Sequence, residues 1–289
     1  MSDDRLRLAF AGLHPDRAWE LRERFDGATG ALRAIQRGRV KASDHVREAA
    51  GVDAATRREQ VASLGVSLLF RGEPGYPTHL DRYEDAPDLL FVRGRLPQQP
   101  GVAIVGTRRC TSYGLELARA YGQAAAEAGW PVISGLARGI DGEAHRGVVD
   151  VGGVGVVVLG CGIDVAYPRE HERLGQQILD AGGAIVTEYP PGSPPDGWRF
   201  PSRNRIIAGL SAAVVVVEAA RTGGALITAV RAAEYGIAVF AMPGDVDRES
   251  SEGCNLLICD GAFPVLDPDD LVEELRLVHD LAGGSALTA

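Results

Sequence analysis

The sequence is almost without lysine. Of its 30 basic residues, 29 are arginine and Lys41 is the one amine side chain. Lys41 lies in Arg-Val-Lys-Ala-Ser, outside any Gly-Lys-Ser/Thr frame, so no Walker-type phosphate loop can be written. A Schiff-base or pyridoxal enzyme would need that same residue, which sits in a polar N-terminal segment. Asparagine is nearly as scarce, at Asn204 and Asn255 only. The four cysteines (Cys110, Cys161, Cys254 and Cys259) form no Cys-x-x-Cys pair, and His-Glu-x-x-His does not occur. Both absences argue against a zinc site and for reduced thiols in a cytoplasmic protein. The apolar run Val151–Ile163 is broken by five glycines and is too short to span a bilayer, and the start, Met-Ser-Asp-Asp-Arg, has no signal-peptide character. No metal, cofactor or membrane partner is expected.

Glycine, by contrast, is abundant: 37 of 289 residues, about 13% against an average near 7%. Such an excess suits tight loops where backbone approaches backbone or a ligand. The net charge is −9, unevenly spread. Residues 1–99 balance at +1, residues 100–260 at −5, and the last 29 residues at −5 again. A polyanion site would have to be a local cluster on an acidic surface.

Residues 1–62 read as short amphipathic helices, with Leu6, Leu13, Trp19, Leu21, Phe25, Leu32 and Ile35 at helix-like spacings. About sixty residues is near the lower limit for an independent core. Two strand-like stretches, Val66–Phe70 and Leu89–Arg93, lead into a strict alternation. Strands are expected at Val102–Val105, Pro131–Ser134, Val154–Leu159, Ala184–Thr187, Ala213–Glu218 and Ala238–Met242. Helices are expected at Ser112–Ala128, Gly139–Val149, Arg169–Ala181, Arg203–Leu210 and Ala225–Tyr235. Continuous β-branched strands separated by helices predict an α/β, Rossmann-like, doubly wound and mostly parallel sheet over residues 63–280. Residues 281–289 read as a flexible tail.

Ligands of such sheets bind beyond the carboxyl ends of the strands. The residues there are Gly106-Thr107-Arg108-Arg109, Gly135 to Asp141, Gly160-Cys161-Gly162-Ile163-Asp164, Arg221 to Thr228, and Pro243-Gly244-Asp245. For any single loop a tight turn is explanation enough. Several glycine and hydroxyl loops at one sheet edge, many just before a helix, favour a phosphate-rich ligand. No Gly-x-Gly-x-x-Gly occurs, so a dinucleotide is not indicated.

The stretch Trp198-Arg199-Phe200-Pro201-Ser202-Arg203-Asn204-Arg205 points to the kind of phosphate. Three arginines and two aromatics fall within it, with no acid. Arginines suit phosphates and an aromatic face suits an unpaired base. Pro201 is expected to fix the backbone ahead of a helix opening at Arg203, with Trp198 an anchor at least as readily as a contact.

Gly-Thr-Arg at 106–108, Ser-Gly-Leu-Ala-Arg-Gly-Ile-Asp at 134–141, Phe-Pro-Ser-Arg-Asn-Arg-Ile-Ile-Ala-Gly-Leu-Ser at 200–211, Thr-Gly-Gly-Ala-Leu-Ile-Thr-Ala at 222–229 and Pro-Gly-Asp at 243–245 strongly resemble the DNA-processing protein A (DprA/Smf) family. The resemblance runs in order from about Ala86 to Leu266. It implies an extended Rossmann fold behind a small helical (SAM-like) domain. It also implies single-stranded DNA binding, dimerisation, and protection and delivery of that DNA to RecA recombinase in natural transformation. Carried across, it places Gly106, Thr107, Arg108, Ser134, Gly135, Arg138, Gly139, Arg199, Phe200, Thr222, Gly223 and Gly224 at the DNA pocket. Arg203, Asn204 and Arg205 fall in the motif, where holding loops is as natural a role as touching phosphate. Thr107 stands for the more usual serine. Gly197 lies three residues before Phe200, where many relatives carry a phosphate-facing lysine, and Arg199 is the candidate substitute. Many members continue into a winged-helix domain that this sequence does not include.

Among other residues, Glu188 and Glu218 suit loop ordering better than acid–base work, and Asp141 and Asp164 read as cap or turn residues. His145 reads as a satisfied structural histidine, and Cys254 and Cys259 as packed residues flanking a short helix. A dimer contact is expected within Cys254–Leu266, from Leu256, Leu257, Phe263 and Val265. The competing class is a Rossmann-like nucleotide phosphoribohydrolase. Thr222-Gly223-Gly224-Ala225-Leu226 matches only the start of its Gly-Gly-x-Gly-Thr-x-x-Glu loop, and no glutamate follows at that spacing. A ligand-free structural oligomer would leave the phosphate-suited loops unexplained.

Overall fold

The computed structural model describes residues 2–281. Five helices come first: α1 (Ser2–Phe10), α2 (Pro15–Arg24), α3 (Gly27–Gln36), α4 (Asp44–Gly51) and α5 (Ala54–Ser63). Their starts carry recognisable stop-and-start chemistry. Pro15 opens α2, Ser43 accepts from the Val46 N–H, and Asp53 accepts from Thr56 N–H at 3.0 Å. After them come β1 (Ser67–Phe70), α6 (Thr78–Asp81), β2 (Leu89–Gly94), β3 (Gly101–Val105), α7 (Ser112–Glu127), β4 (Val132–Ser134), α8 (Ile140–Asp150) and β5 (Gly155–Val158). A 3₁₀ turn, Arg169–His171, leads into α9 (Glu172–Asp180), then β6 (Ala184–Thr187), α10 (Arg199–Gly209), β7 (Ser211–Val216), α11 (Gly224–Glu234), β8 (Ala238–Ala241), α12 (Glu249–Cys259), β9 (Phe263–Pro264) and α13 (Pro268–Leu281). The tail expected at 281–289 lies, apart from its first residue, outside the described residues.

All nine strands join one sheet in the order β1-β2-β6-β5-β4-β3-β7-β8-β9. β1 and β2 pair antiparallel, as do β2 and β6; every pairing from β6 to β9 is parallel. The chain fills one side of β3 with β4, β5 and β6, then crosses to build β7, β8 and β9 on the other. That reversal beside β3 opens a crevice at the strands' carboxyl ends. Alternate strand residues feed opposite layers. Val105, Val158, Val214 and Val216 pack with Ile206 of α10 and Ala229 of α11, whereas Ile104, Val132 and Val215 pack with Tyr121 of α7 and Val148 of α8.

The helical segment divides its apolar residues between two cores. Leu8, Leu21, Leu32 and Ile35 form a cluster of their own. Leu6, Phe10 and Val61 pack instead with Phe70, Phe91 and Ile178 at the sheet's antiparallel end. Arg5 strengthens this junction, donating to the Asp88 carboxylate at 2.6 Å and to the Arg71 and Asp88 carbonyls. A sixty-residue segment short of core is thus completed by the sheet. Among the described residues no helix is long and apolar enough to cross a membrane.

Candidate nucleic-acid interface

The crevice is built by loops that touch one another through glycine. The 106–111 loop leaves β3 and is pinned twice. Thr107 N–H donates to the Glu218 carbonyl at 2.7 Å. The Glu218 carboxylate takes the Thr111 N–H at 2.8 Å and the Thr111 hydroxyl at 2.6 Å. Thr111 in turn caps α7 by accepting from Gly114 N–H. Gly139 has φ +77°, and a side chain there would collide with the Thr107 carbonyl, so glycine is required by conformation and space alike. A β-carbon on Gly106 would meet Ile140 of α8 at 2.5 Å.

Arg108 is exposed at the tip of this loop, and its guanidinium lies 5.2 Å from the Phe200 ring. Phe200, half-buried in the first turn of α10, also packs on Tyr167 at 5.3 Å between centroids and against the bare backbone of Gly160. One turn further on, the Asn204 amide donates to the Gly224 carbonyl at 3.2 Å, which ties the start of α11 to α10. Neither α8 nor α11 has a side-chain cap: their N-cap residues are Gly139 and Gly223. Thr222 and Gly224 are exposed beside that second helix start. The start of α8 is covered by the 106–111 loop, whereas the exposed start of α11, an exposed arginine and a partly open aromatic ring make a surface suited to phosphate and a flat base.

Other expected contacts lie elsewhere. Ser134 is fully buried, its hydroxyl donating to the Ile104 carbonyl at 2.7 Å. Gly135 N–H is spent on Asp141 at 3.1 Å. Neither residue presents a donor to the crevice, because β3 takes the Ser134 hydroxyl and the turn after β4 takes the Gly135 N–H. Arg203 is buried and donates to the carbonyls of Gly135 and Val158. Burial pulls its charge-holding tendency down, and Asp141 only partly offsets that. Burial likewise raises the Asp141 carboxyl, against the pull of Arg203. This guanidinium fills the space that a Gly135 side chain would need.

Arg205 holds Glu188 with two hydrogen bonds, 2.7 and 2.6 Å, and donates to the Asp85 carbonyl. Burial works against its charge, but Glu188 raises its pKa well above the ordinary value. Arg199 is buried as well, set over the rings of Tyr189 and Trp198 at 4.9 and 5.0 Å. It therefore does not stand in for the lysine that many relatives carry near Gly197. The cause is a helix that begins four residues earlier than expected: Pro201 sits inside its first turn, where a missing N–H costs nothing. α10 is packed on more than one side, so Arg203 reaches the carbonyls of Gly135 and Val158, Arg205 reaches Glu188 and Asp85, and Arg199 lies over Tyr189 and Trp198, while Phe200 is left toward the crevice. Arg138 remains exposed, paired with Glu170.

Tyr167, behind Phe200, was not expected at the site; the Tyr-Pro step that precedes the 3₁₀ turn was its signal. Asp164 accepts from Gly192 N–H at 2.8 Å, a turn role as expected. His145 is buried but not satisfied, since neither ring nitrogen has a hydrogen-bond partner. Cys254 is fully buried, whereas Cys259 is exposed, and they belong to the eleven-residue helix α12 rather than flanking it. In the expected dimer patch Phe263 is 56% exposed and Leu256 36%, while Leu257 is partly buried. Val265 is fully buried beneath α13, packed with Leu271 and Leu275, and offers no contact surface.

A doubly wound α/β protein with an anion-suited crevice at its switch point is the class that fold and site define. Within that class, the family model for DNA recombination-mediator protein A matches residues 67–276. The chain is 44% identical to Protein Smf of Escherichia coli over 203 residues, covering 70% of this chain and 54% of that protein. It is 42% identical to the DNA processing protein DprA of Streptococcus pneumoniae over 203 residues, covering 70% and 71%. The chain belongs to the DprA/Smf family. It spans about half the length of the Escherichia coli relative. Among solved structures, that of DprA from Streptococcus pneumoniae superposes with a TM-score of 0.78 at 33% identity, covering 93% of this chain and 95% of that one. A Helicobacter pylori DprA structure, described for its single-stranded DNA binding mode, matches with a TM-score of 0.66 at 26% identity over 73% of this chain and 96% of that one.

Proposed function

We propose that this protein binds single-stranded DNA across the crevice, protects it, and delivers it to RecA recombinase during natural transformation. The observation that carries the binding step is Phe200, held half-open between Arg108 and Tyr167. The uncapped start of α11, with Thr222 and Gly224 exposed, opens at the same sheet edge. Bases stack on the ring; phosphates meet Arg108, Thr107 and the backbone N–H groups of Thr222 and Gly224. RecA delivery rests on family membership. The role is binding rather than catalysis: Glu188, Glu218, Asp141 and Asp164 are each engaged in holding Arg205, Thr111, Gly135 or Gly192. Two copies joined through Leu256 and Phe263 would raise the effective concentration of crevices along one strand. The test is a competition between oligo-dT and duplex DNA at matched nucleotide concentration. Preference for oligo-dT, lost in Phe200→Ala, is expected; equal competition by duplex refutes the reading.

A further inference from the structure

A second cavity lies on the other side of the first turn of α10, between the helical segment and the sheet. It measures about 680 Å³, within the range of small-molecule sites. Arg199 and Phe200 are neighbours in sequence, yet Phe200 packs with Arg108 while Arg199 lines this cavity. The helical segment supplies Leu13 and Trp19 to one wall; Tyr83 and Tyr189 belong to the other. Trp19 is 42% exposed, so its indole stands open at the cavity.

Six arginines line the cavity together with Asp16, Glu84, Asp85, Asp88, Glu188 and Glu234, and four of the arginines are paired with acids from this set. Arg5 and Arg22 share Asp88, Arg205 holds Glu188, and Arg231 reaches Asp85. Arg82 is paired with no carboxylate among the described residues; its only hydrogen bond there goes to the Tyr83 hydroxyl. Arg199 reaches Asp196 with one nitrogen at 3.4 Å, while its Nε and Nη1 are buried with no hydrogen-bond partner. Buried guanidinium N–H groups without an acceptor are rare and call for one. Unmatched arginines suit an anion, and an open indole suits a planar ring.

We propose that this cleft binds a nucleoside monophosphate unit, its base against Trp19 and its phosphate toward the arginine edge formed by Arg82 and Arg199. The unit comes either as a free nucleotide or as the end of a strand whose remaining nucleotides lie beyond Phe200. The site is separate from the crevice and stands whether or not the crevice holds DNA.

Calorimetric titration of the whole protein with thymidine 5′-monophosphate, and with thymidine, tests this. Saturable binding of the monophosphate is expected, with thymidine at least about tenfold weaker because the charge-assisted hydrogen bonds are absent. Trp19→Ala and Arg82→Ala alter exposed side chains, and thermal melting confirms that both variants fold. Each should weaken the monophosphate roughly tenfold. Saturating oligo-dT separates the sources: displacement of the monophosphate marks a strand end, and continued binding marks a free nucleotide. The proposal is overturned by no binding at millimolar monophosphate, by equal binding of thymidine, or by binding that Phe200→Ala abolishes and Trp19→Ala leaves intact. The last result would place the nucleotide in the crevice.

Discussion

Replacing His145 with leucine should cost little stability at neutral pH and make the protein lose less of it in mild acid. His145 lies inside α8 with no exposed surface, and both ring nitrogens lack a hydrogen-bond partner. Burial lowers its pKa from 6.5 to about 4, outweighing the nearby Ser134 carbonyl, which lies outside hydrogen-bond geometry, and His171 adds to the fall. In the unfolded chain the imidazole takes a proton near pH 6.5, whereas in the native state it stays neutral until about pH 4. Between those values the unfolded state binds more protons, so stability falls as pH falls. Lowering the pH from 7 to 5 removes about 2 kcal/mol through this residue, from 1.36 kcal/mol per pKa unit. Leucine is of similar size, has no proton to gain and leaves no orphaned donor, so its cost at pH 7 should be below about 1.5 kcal/mol. His79, lowered to about 4 by burial and by Arg82, keeps its own share, so acid sensitivity should halve rather than vanish. Urea unfolding at pH 7 and pH 5, for the parent and His145→Leu, measures the difference directly. Parallel losses in the two proteins would refute the assignment of a neutral buried imidazole.

Phe200→Ala should weaken oligo-dT binding by about 1–3 kcal/mol, and Phe200→Tyr should keep most of it, if a base stacks on the ring; equal loss with both in fluorescence titrations would make the ring a loop anchor. Arg108→Ala should weaken all sequences alike and flatten the salt dependence by about 0.7 in log–log slope, read by titrating at several salt concentrations. Thr111→Val removes the hydroxyl that Glu218 accepts and should cost about 1–3 kcal/mol of stability by leaving a buried carboxylate oxygen unpaired, with DNA affinity falling as the 106–111 loop loosens; unchanged melting would show that the pairing holds nothing. Phe263→Glu should give monomers by light scattering with an unchanged melting transition, because more than half of the ring's surface is open; a dimer that survives it is built elsewhere.

Much of the fold was legible in the sequence. Each expected sheet strand from Val102 to Met242 lies within two residues of an observed one, because strands buried on both faces are written as unbroken β-branched runs and their ends as glycine. The glycines that let the 106–111 and 135–140 loops touch were visible too, as was the family motif that joins them. Tertiary structure decided which motif residues face a ligand. Arg199, Arg203 and Arg205 look alike in sequence, but α10 is enclosed on several sides, so carbonyls receive Arg203, Glu188 receives Arg205 and aromatic rings receive Arg199. Ser134 loses its hydroxyl donor to the Ile104 carbonyl of β3 and Gly135 its N–H to Asp141, contacts whose direction the local sequence does not reveal. Val265, one residue past β9, is covered by α13, whereas Phe263 in the edge strand stays open. Composition and periodicity specify which segments form strands and helices; which way a polar side chain points depends on where each helix begins and on what the rest of the chain packs against it.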